Sequence, residues 1–151
     1  GHAMAGGFKL KEEKLSSLQN YLQENSNLFF KSNNSTINID LEAKIFDLNL
    51  EMINNMEQLE PYGMGYPEPK ILIKKVSSVY SKIIGKNKTH LSCTLEDIYG
   101  SRINAMIFNF ENSILRVIEE KREFDVIGKV SLNVWENKKT PQFFIEDLRV
   151  I

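Results

Sequence analysis

From Lys70 to Trp135, apolar residues recur at every second position in four separate runs, one intervening stretch has helical spacing, and a fifth run closes the chain. A period of two sends alternate side chains to opposite faces of a strand, so each run has one face to bury and one to leave in water. The longest run is "KILIKKVSSVYSKIIG". Its alternation, set by Ile71 and Ile73, breaks at Lys74-Lys75 and resumes out of phase, as in a bent or bulged strand. "THLSCTLED" sets Leu91, Cys93 and Leu95 against His90, Ser92 and Thr94, and after the turn "IYGSR" the run "RINAMIFNF" alternates Ile103, Ala105 and Ile107. Asn109 or Asn112 offers a cap for a short helix carrying Ile114, Leu115 and Ile118. "FDVIGKVSLNVW" then alternates Phe124, Val126, Gly128, Val130, Leu132 and Val134, "ENKKT" turns, and "PQFFIEDLRVI" closes the chain.

Three strands, a helix and two more strands is the order of a five-stranded OB-fold barrel with a long, curved first strand. An SH3-like barrel has a similar strand count and normally lacks the helix. The expected fold class is therefore mainly β with flanking helices (α+β), with the barrel over residues 70–151.

Ahead of it, a short strand is expected at Phe8–Lys11. Leu15, Leu18, Leu22 and Phe29 share one face of a helix from about Glu12 to Phe30. "INIDLEAKI" alternates like a strand, and Asn49 is placed to cap a helix bearing Leu50, Ile53, Met56 and Leu59. Pro61 ends that helix. The segment that follows, "LEPYGMGYPEP", fixes φ at Pro61, Pro67 and Pro69 and leaves it free at Gly63 and Gly65, so it reads as a shaped, low-entropy joint.

A chain of 151 residues, 42% hydrophobic and 26% charged, has the balance of a globular protein with a buried core. The net charge of −1 gives no overall sign of nucleic-acid binding, but the charge is polarised. Residues 37–60 hold six acids and one base, whereas residues 61–93 hold six lysines against Glu68. Cys93 stands alone, which excludes an internal disulfide and suits a reducing compartment. No run approaches the ~20 apolar residues of a membrane span, and no signal peptide opens the sequence, so the expected location is cytoplasmic. His2 and His90 are the only histidines, far apart, and no metal site is expected.

Three motifs together resemble the C-terminal region of the RecJ family, bacterial single-stranded-DNA-specific exonucleases of the DHH phosphoesterase superfamily. "GHAMAGGF" (1–8) is similar to the end of the Gly-Gly-His-Ala-x-Ala-Ala-Gly motif of the DHHA1 domain. "LEPYGMGYPEP" (59–69) resembles the Leu-x-Pro-Phe-Gly-x-Gly-Asn-Pro-x-Pro segment that leads into the OB domain. "LNVWENKKTPQFFIEDL" (132–148) resembles an Asn-x-Trp-Asn-Gly stretch followed by Pro-Gln and a final acidic strand. Tyr66 departs from the usual Asn, Gly7 from the small-residue run, and Glu136-Asn137 from Asn-Gly.

The resemblance implies a C-terminal remnant of DHHA1 over residues 1–35, a strand-helix linker and Pro/Gly joint over 36–69, and the OB domain over 70–151. It implies a single-stranded-DNA-binding portion of a 5′-to-3′ exonuclease of repair and recombination. The Asp-His-His motif is absent from this sequence. The Mn²⁺ or Mg²⁺ ions, and the activity itself, are therefore expected in an upstream DHH catalytic domain of the same protein. In the alternative reading the barrel docks a repair protein or braces the nuclease, with the acidic 37–60 segment as its interface.

Gly1 and His2 match the part of the DHHA1 motif that meets a substrate phosphate, unless they are a cloning remnant ahead of Met4. For the barrel, the candidate DNA contacts are Lys74, Lys75, Lys82, Lys88, His90 and Arg102 for the backbone, with Tyr80 and Trp135 as stacking faces. Lys70, Lys86, Phe108 and Phe144 extend the same groups. Taken singly, each of these residues fits an ordinary barrel exterior.

Overall fold

The computed structural model describes residues 7–25 and 36–151. Contacts divide the chain into two compact units, Gly1–Ile37 and Asn38–Ile151.

In the first unit a 3-10 turn at Glu12–Lys14 runs into helix α1, Leu15–Glu24. Asn25 ends the helix, its side-chain amide donating to the Tyr21 carbonyl at 2.8 Å. Residues 7–11 form no strand, contrary to the sequence expectation, because an extended segment becomes one only when a neighbour takes its hydrogen bonds. Gly1, His2 and Phe29, and with them the expected phosphate contact and the end of the expected helix, lie outside the described residues.

The second unit is the barrel. Its strands are β1 (Leu41–Glu42), β2 (Ile71–Ile84), β3 (His90–Asp97), β4 (Arg102–Ile107), β5 (Phe124–Trp135) and β6 (Lys138–Val150). Helix α2 (Leu50–Glu57) precedes β2, and helix α3 (Asn112–Glu119) lies between β4 and β5. The sheet order is β1-β2-β3-β4-β6-β5, and a further β2–β5 pairing closes five of these strands into a ring. All the ring pairs are antiparallel except β4 and β6, which run parallel. This is the expected OB barrel, with the long first strand and the helix where the alternation puts them.

One strand meets both neighbours because it bends. The register of β2 against β5 shifts between Ile73 and Val76, where Lys75 takes a φ of 53°, and its register against β3 shifts between Ser78 and Tyr80. The first shift is the phase break at Lys74-Lys75. Asp125 holds it: Oδ1 accepts from the Lys75 backbone N–H at 3.1 Å, and Oδ2 accepts from the Arg149 guanidinium at 2.6 Å. Burial alone would raise the Asp125 carboxyl. The Arg149 and Lys75 hydrogen bonds and the charges of Arg149 and Lys74 outweigh that, and hold it below the usual carboxylate range.

The core is the inward set of the alternation. Ile71, Ile73, Val76, Leu91, Cys93, Leu95, Ala105, Phe124, Val126 and Phe143 are fully buried. Burial pushes the Cys93 thiol up to about 12, so it packs as a small apolar group. At a second register shift, Ile127/Gly128, β6 crosses close to β5. A Cβ on Gly128 would lie 2.0 Å from the Phe144 carbonyl oxygen, so only glycine fits.

Residues 38–69 belong to the same unit as the barrel. The strand expected over "INIDLEAKI" shortens to Leu41–Glu42, parallel to Ile71–Leu72. It ends where Asp47 accepts from the Lys44 N–H and a 3-10 turn at Ile45–Asp47 begins. Ile45, Leu48 and Ile53 thereby enter the core. Asn49 caps α2 as expected, accepting from the Met52 N–H at 3.0 Å. The cap of α3 differs from expectation: the position is Glu111, without a side-chain bond, and Asn109 sits instead at a left-handed φ of 51°.

The Pro/Gly segment runs from α2 to β2 inside this unit. Gly63 and Tyr66 exchange both backbone hydrogen bonds around a tight turn whose third residue, Gly65, has φ +87°. Gly63 is not left-handed. Lys129 pairs with Glu68 at 2.9 Å, and Glu146 joins Lys70 at 2.7 Å to Lys129, tying the end of the segment to β5 and β6. Glu68 beside it is the main reason that the Lys129 ammonium lies above its usual range.

Two outcomes test this account. Gly128→Ala should lose about 2–4 kcal/mol in urea titration, since the Cβ forces apart two paired backbones. Asp125 has its folded value depressed, so it stabilises the fold above the unfolded carboxylate value, and the effect drains away as pH falls through the folded one. Asp125→Asn should therefore cost about 1–2 kcal/mol at neutral pH and nearly nothing near pH 2.

Candidate nucleic-acid interface

Every second residue of the barrel strands faces outward, and the register aligns those residues in rows around the ring. Tyr80, Thr94, Asn104, Gln142 and Ser131 are successive cross-strand partners from β2 through β3, β4 and β6 to β5. The next row is Lys82, Ser92, Met106, Phe144 and Lys129. Between β2 and β3 the five-residue loop 85–89 carries Lys86 and Lys88, with Gly85 and Lys88 at positive φ.

At the loop end of this face three rings form a row. His90 meets Phe108 edge-on with centroids 5.1 Å apart, and Phe108 lies nearly parallel to Phe144 at 5.9 Å. The Asn109 backbone N–H donates to His90 Nδ1 at 3.2 Å, so the neutral imidazole carries its hydrogen on Nε2. Phe108 is 53% exposed and Tyr80 59%. Lys82, Lys86 and Lys88 are exposed and make no ion pair among the described residues.

The sequence candidates thus separate into groups. Tyr80, Lys82, Lys88 and His90 lie together on the outer face and its loop, with Lys86, Phe108 and Phe144. Lys74 and Lys75 sit at the β2 bulge in a different setting, a cleft of about 290 Å³ lined also by Glu42, Lys44, Asp47, Asp97 and Tyr99. There Lys74 pairs with Glu42 at 2.7 Å, and the Lys44 ammonium rests 4.6 Å from the centre of the Tyr99 ring. Arg102 is tied to Glu96. Trp135 is 72% exposed at the end of β5. Pro61, Gly63, Gly65, Pro67 and Pro69 are structural elements of the α2–β2 connection.

Three of the six acids of the 37–60 segment are engaged within the fold. Asp40 accepts from the Lys70 N–H, Asp47 from the Lys44 N–H, and Glu42 pairs with Lys74. One ion pair, Glu42–Lys74, thus joins the acidic segment to the lysine-rich one where β1 meets β2. Among the described residues, no three His, Cys, Asp or Glu side chains come together as a metal site. Composition pointed to lysines in general. Which of them are free follows only from the pairing of the acids, and the Phe108–Phe144 stack joins the residue just after β4 to β6, neighbours only in space.

A ring closed by a parallel β4–β6 pair, with a helix between its third and fourth strands and this face outside, is an OB-fold module. The RecJ OB domain family model matches residues 39–147, and the chain belongs to that family. Single-stranded-DNA-specific exonuclease RecJ of Bacillus subtilis (strain 168) is 31% identical over 152 residues, which cover 99% of this chain and 19% of that protein. RecJ of Haemophilus influenzae is 24% identical over 154 residues, 100% of this chain and 26% of that protein. The crystal structure of RecJ from Thermus thermophilus in complex with Mn²⁺ shares the fold, with TM-score 0.63 and 22% identity over 95% of this chain and 20% of that one. The chain thus spans between a fifth and about a quarter of the relatives it matches.

Proposed function

We propose that residues 38–151 bind single-stranded DNA and deliver it to a metal-dependent DHH catalytic domain of the same polypeptide, within a 5′-to-3′ exonuclease of DNA repair and recombination. The observation that carries the reading is the outer face itself. It joins three lysines, unpaired among the described residues, to a row of rings of which Phe108 is exposed and His90 and Phe144 half-buried, and the positions in both outer rows carry no carboxylate. Lysine ammoniums meet phosphates along a flexible strand, and flat rings accept unstacked bases of any sequence. His90 Nε2–H faces the same chemistry as a donor to a phosphate oxygen. A duplex hides its base faces and gains only the charge term. Mn²⁺ or Mg²⁺ would act in the catalytic domain.

The docking alternative places its interface on the acidic 37–60 segment, of which Asp40, Glu42 and Asp47 are engaged internally and Glu51, Glu57 and Glu60 are exposed. In this reading the Pro/Gly segment braces α2 against β2, and through them the orientation of the barrel.

Fluorescence anisotropy with a labelled single-stranded oligonucleotide tests the proposal. Binding should weaken steeply with salt, and Lys82→Ala/Lys88→Ala should flatten the log K against log salt slope by about 1.4, two phosphate contacts at ~0.7 each. Phe108→Ala should cost about 1–3 kcal/mol of affinity while leaving that slope unchanged. A folded protein that binds neither single strands nor duplex would overturn the reading.

A further inference from the structure

We propose that the tip of the β5–β6 ribbon is a junction contact, seated where a nucleic-acid duplex opens, with one separating strand on each of its faces. The inference rests on the single-strand-binding reading of the barrel and extends it to the end of a duplex.

β5 pairs with β2 only through Phe124–Gly128, and β6 with β4 only through Gln142–Ile145. From Leu132↔Pro141 to Trp135↔Lys138 the two strands pair with each other alone. Four residue pairs make a two-stranded arm roughly 13 Å long beyond the ring. Glu136 and Asn137, at φ 46° and 64°, close it in a two-residue turn suited to the strand twist. Pro141, lacking an N–H, sits on the unpaired edge where none is needed.

Directly opposed residues share a face of a ribbon. Trp135 and Lys138 therefore stand on one face of the tip, Val134 and Lys139 on the other. Trp135 is 72% exposed and Val134 60%, and neither lysine is ion-paired among the described residues. Each face thus offers an apolar surface for a base and an ammonium for a phosphate. Two diverging strands present that chemistry twice, once to each side of a wedge. The tip carries two ammoniums against the single carboxylate of Glu136, which suits a polyanion. The Trp135 face continues through Asn133/Thr140 and Ser131/Gln142 into Asn104, Thr94 and Tyr80, so a strand leaving the tip on that side lies on the barrel face already described.

Trp135 is the only tryptophan, so its emission reports the tip directly. The full chain is titrated with a labelled single strand and with the same strand as one arm of a forked duplex, both of whose strands are unpaired at one end, reading anisotropy and indole fluorescence together. The junction should bind about fivefold tighter or more, the low end of one added base stack, and should quench the indole. Val134→Ser/Lys139→Ser alters only exposed groups on the far face. It should abolish the junction preference while single-strand affinity and the melting curve stay as in the wild type. Equal affinity for the two DNAs, or a preference that survives the double substitution, overturns this inference and leaves the barrel reading standing. Binding of both DNAs without indole quenching also overturns it, and points the tip towards a protein. If neither DNA binds, the barrel reading falls and this inference with it.

Discussion

Barrel closure depends on β2 keeping one face inward while it pairs with two strands that lie at an angle to each other. The bulge at Lys74–Lys75 supplies the bend, and Asp125 holds it by bonding the Lys75 N–H on one side and Arg149 on the other. A straight strand of the same composition would turn either Ile71 and Ile73 or Val76 and Ser78 outward, because a one-residue slip reverses every later side chain. The rest follows from that bend: β5 returns to β2, β6 is carried onto β4, and the outer rows acquire their order.

The same closure produces the functional surface. β4 and β6 are far apart in sequence and parallel in space, which is why Phe108 and Phe144 stack and why Asn104 and Gln142 are neighbours. The ring also ends before the β5–β6 hairpin does, leaving Trp135 on an arm rather than on the barrel wall. Charge is organised alongside. Acids of the 38–47 stretch are used at the bulge and the start of β2, and the lysines beyond them, at Lys82, Lys86 and Lys88, are left unpaired among the described residues. The unpaired Lys82, Lys86 and Lys88 at the end of β2 and in the loop after it give the barrel a side suited to a polyanion despite a net charge near zero.

Much of the fold was legible in the sequence. Period-two alternation identified strands of the ring, the phase break marked the bulge, and Asn49 marked the start of α2, which ends at Glu57, short of the expected Leu59, because these signals are local and each residue carries its own steric or hydrogen-bonding reason. Phe8–Lys11 and most of "INIDLEAKI" failed as strands for one shared reason. Apolar alternation states what a segment would bury, while pairing depends on a partner, and β2 offers β1 only the short stretch at Ile71–Leu72 before β3 takes over that edge. Asn109 failed as a cap because the chain needed a left-handed residue there to turn from β4 towards α3, with its N–H on His90.

The sequence by itself determined the strand order, the inward residues, the place of the helix and the stock of lysines and rings, since covalent order and side-chain period do not depend on what lies across the barrel. Only the tertiary structure decided which cations stay unpaired, which rings meet, that Gly128 has no room for a side chain, and that the β5–β6 tip carries an apolar group and an ammonium on each face. Those properties belong to pairs of residues from separate strands, and their distances are set by ring closure rather than by chain position.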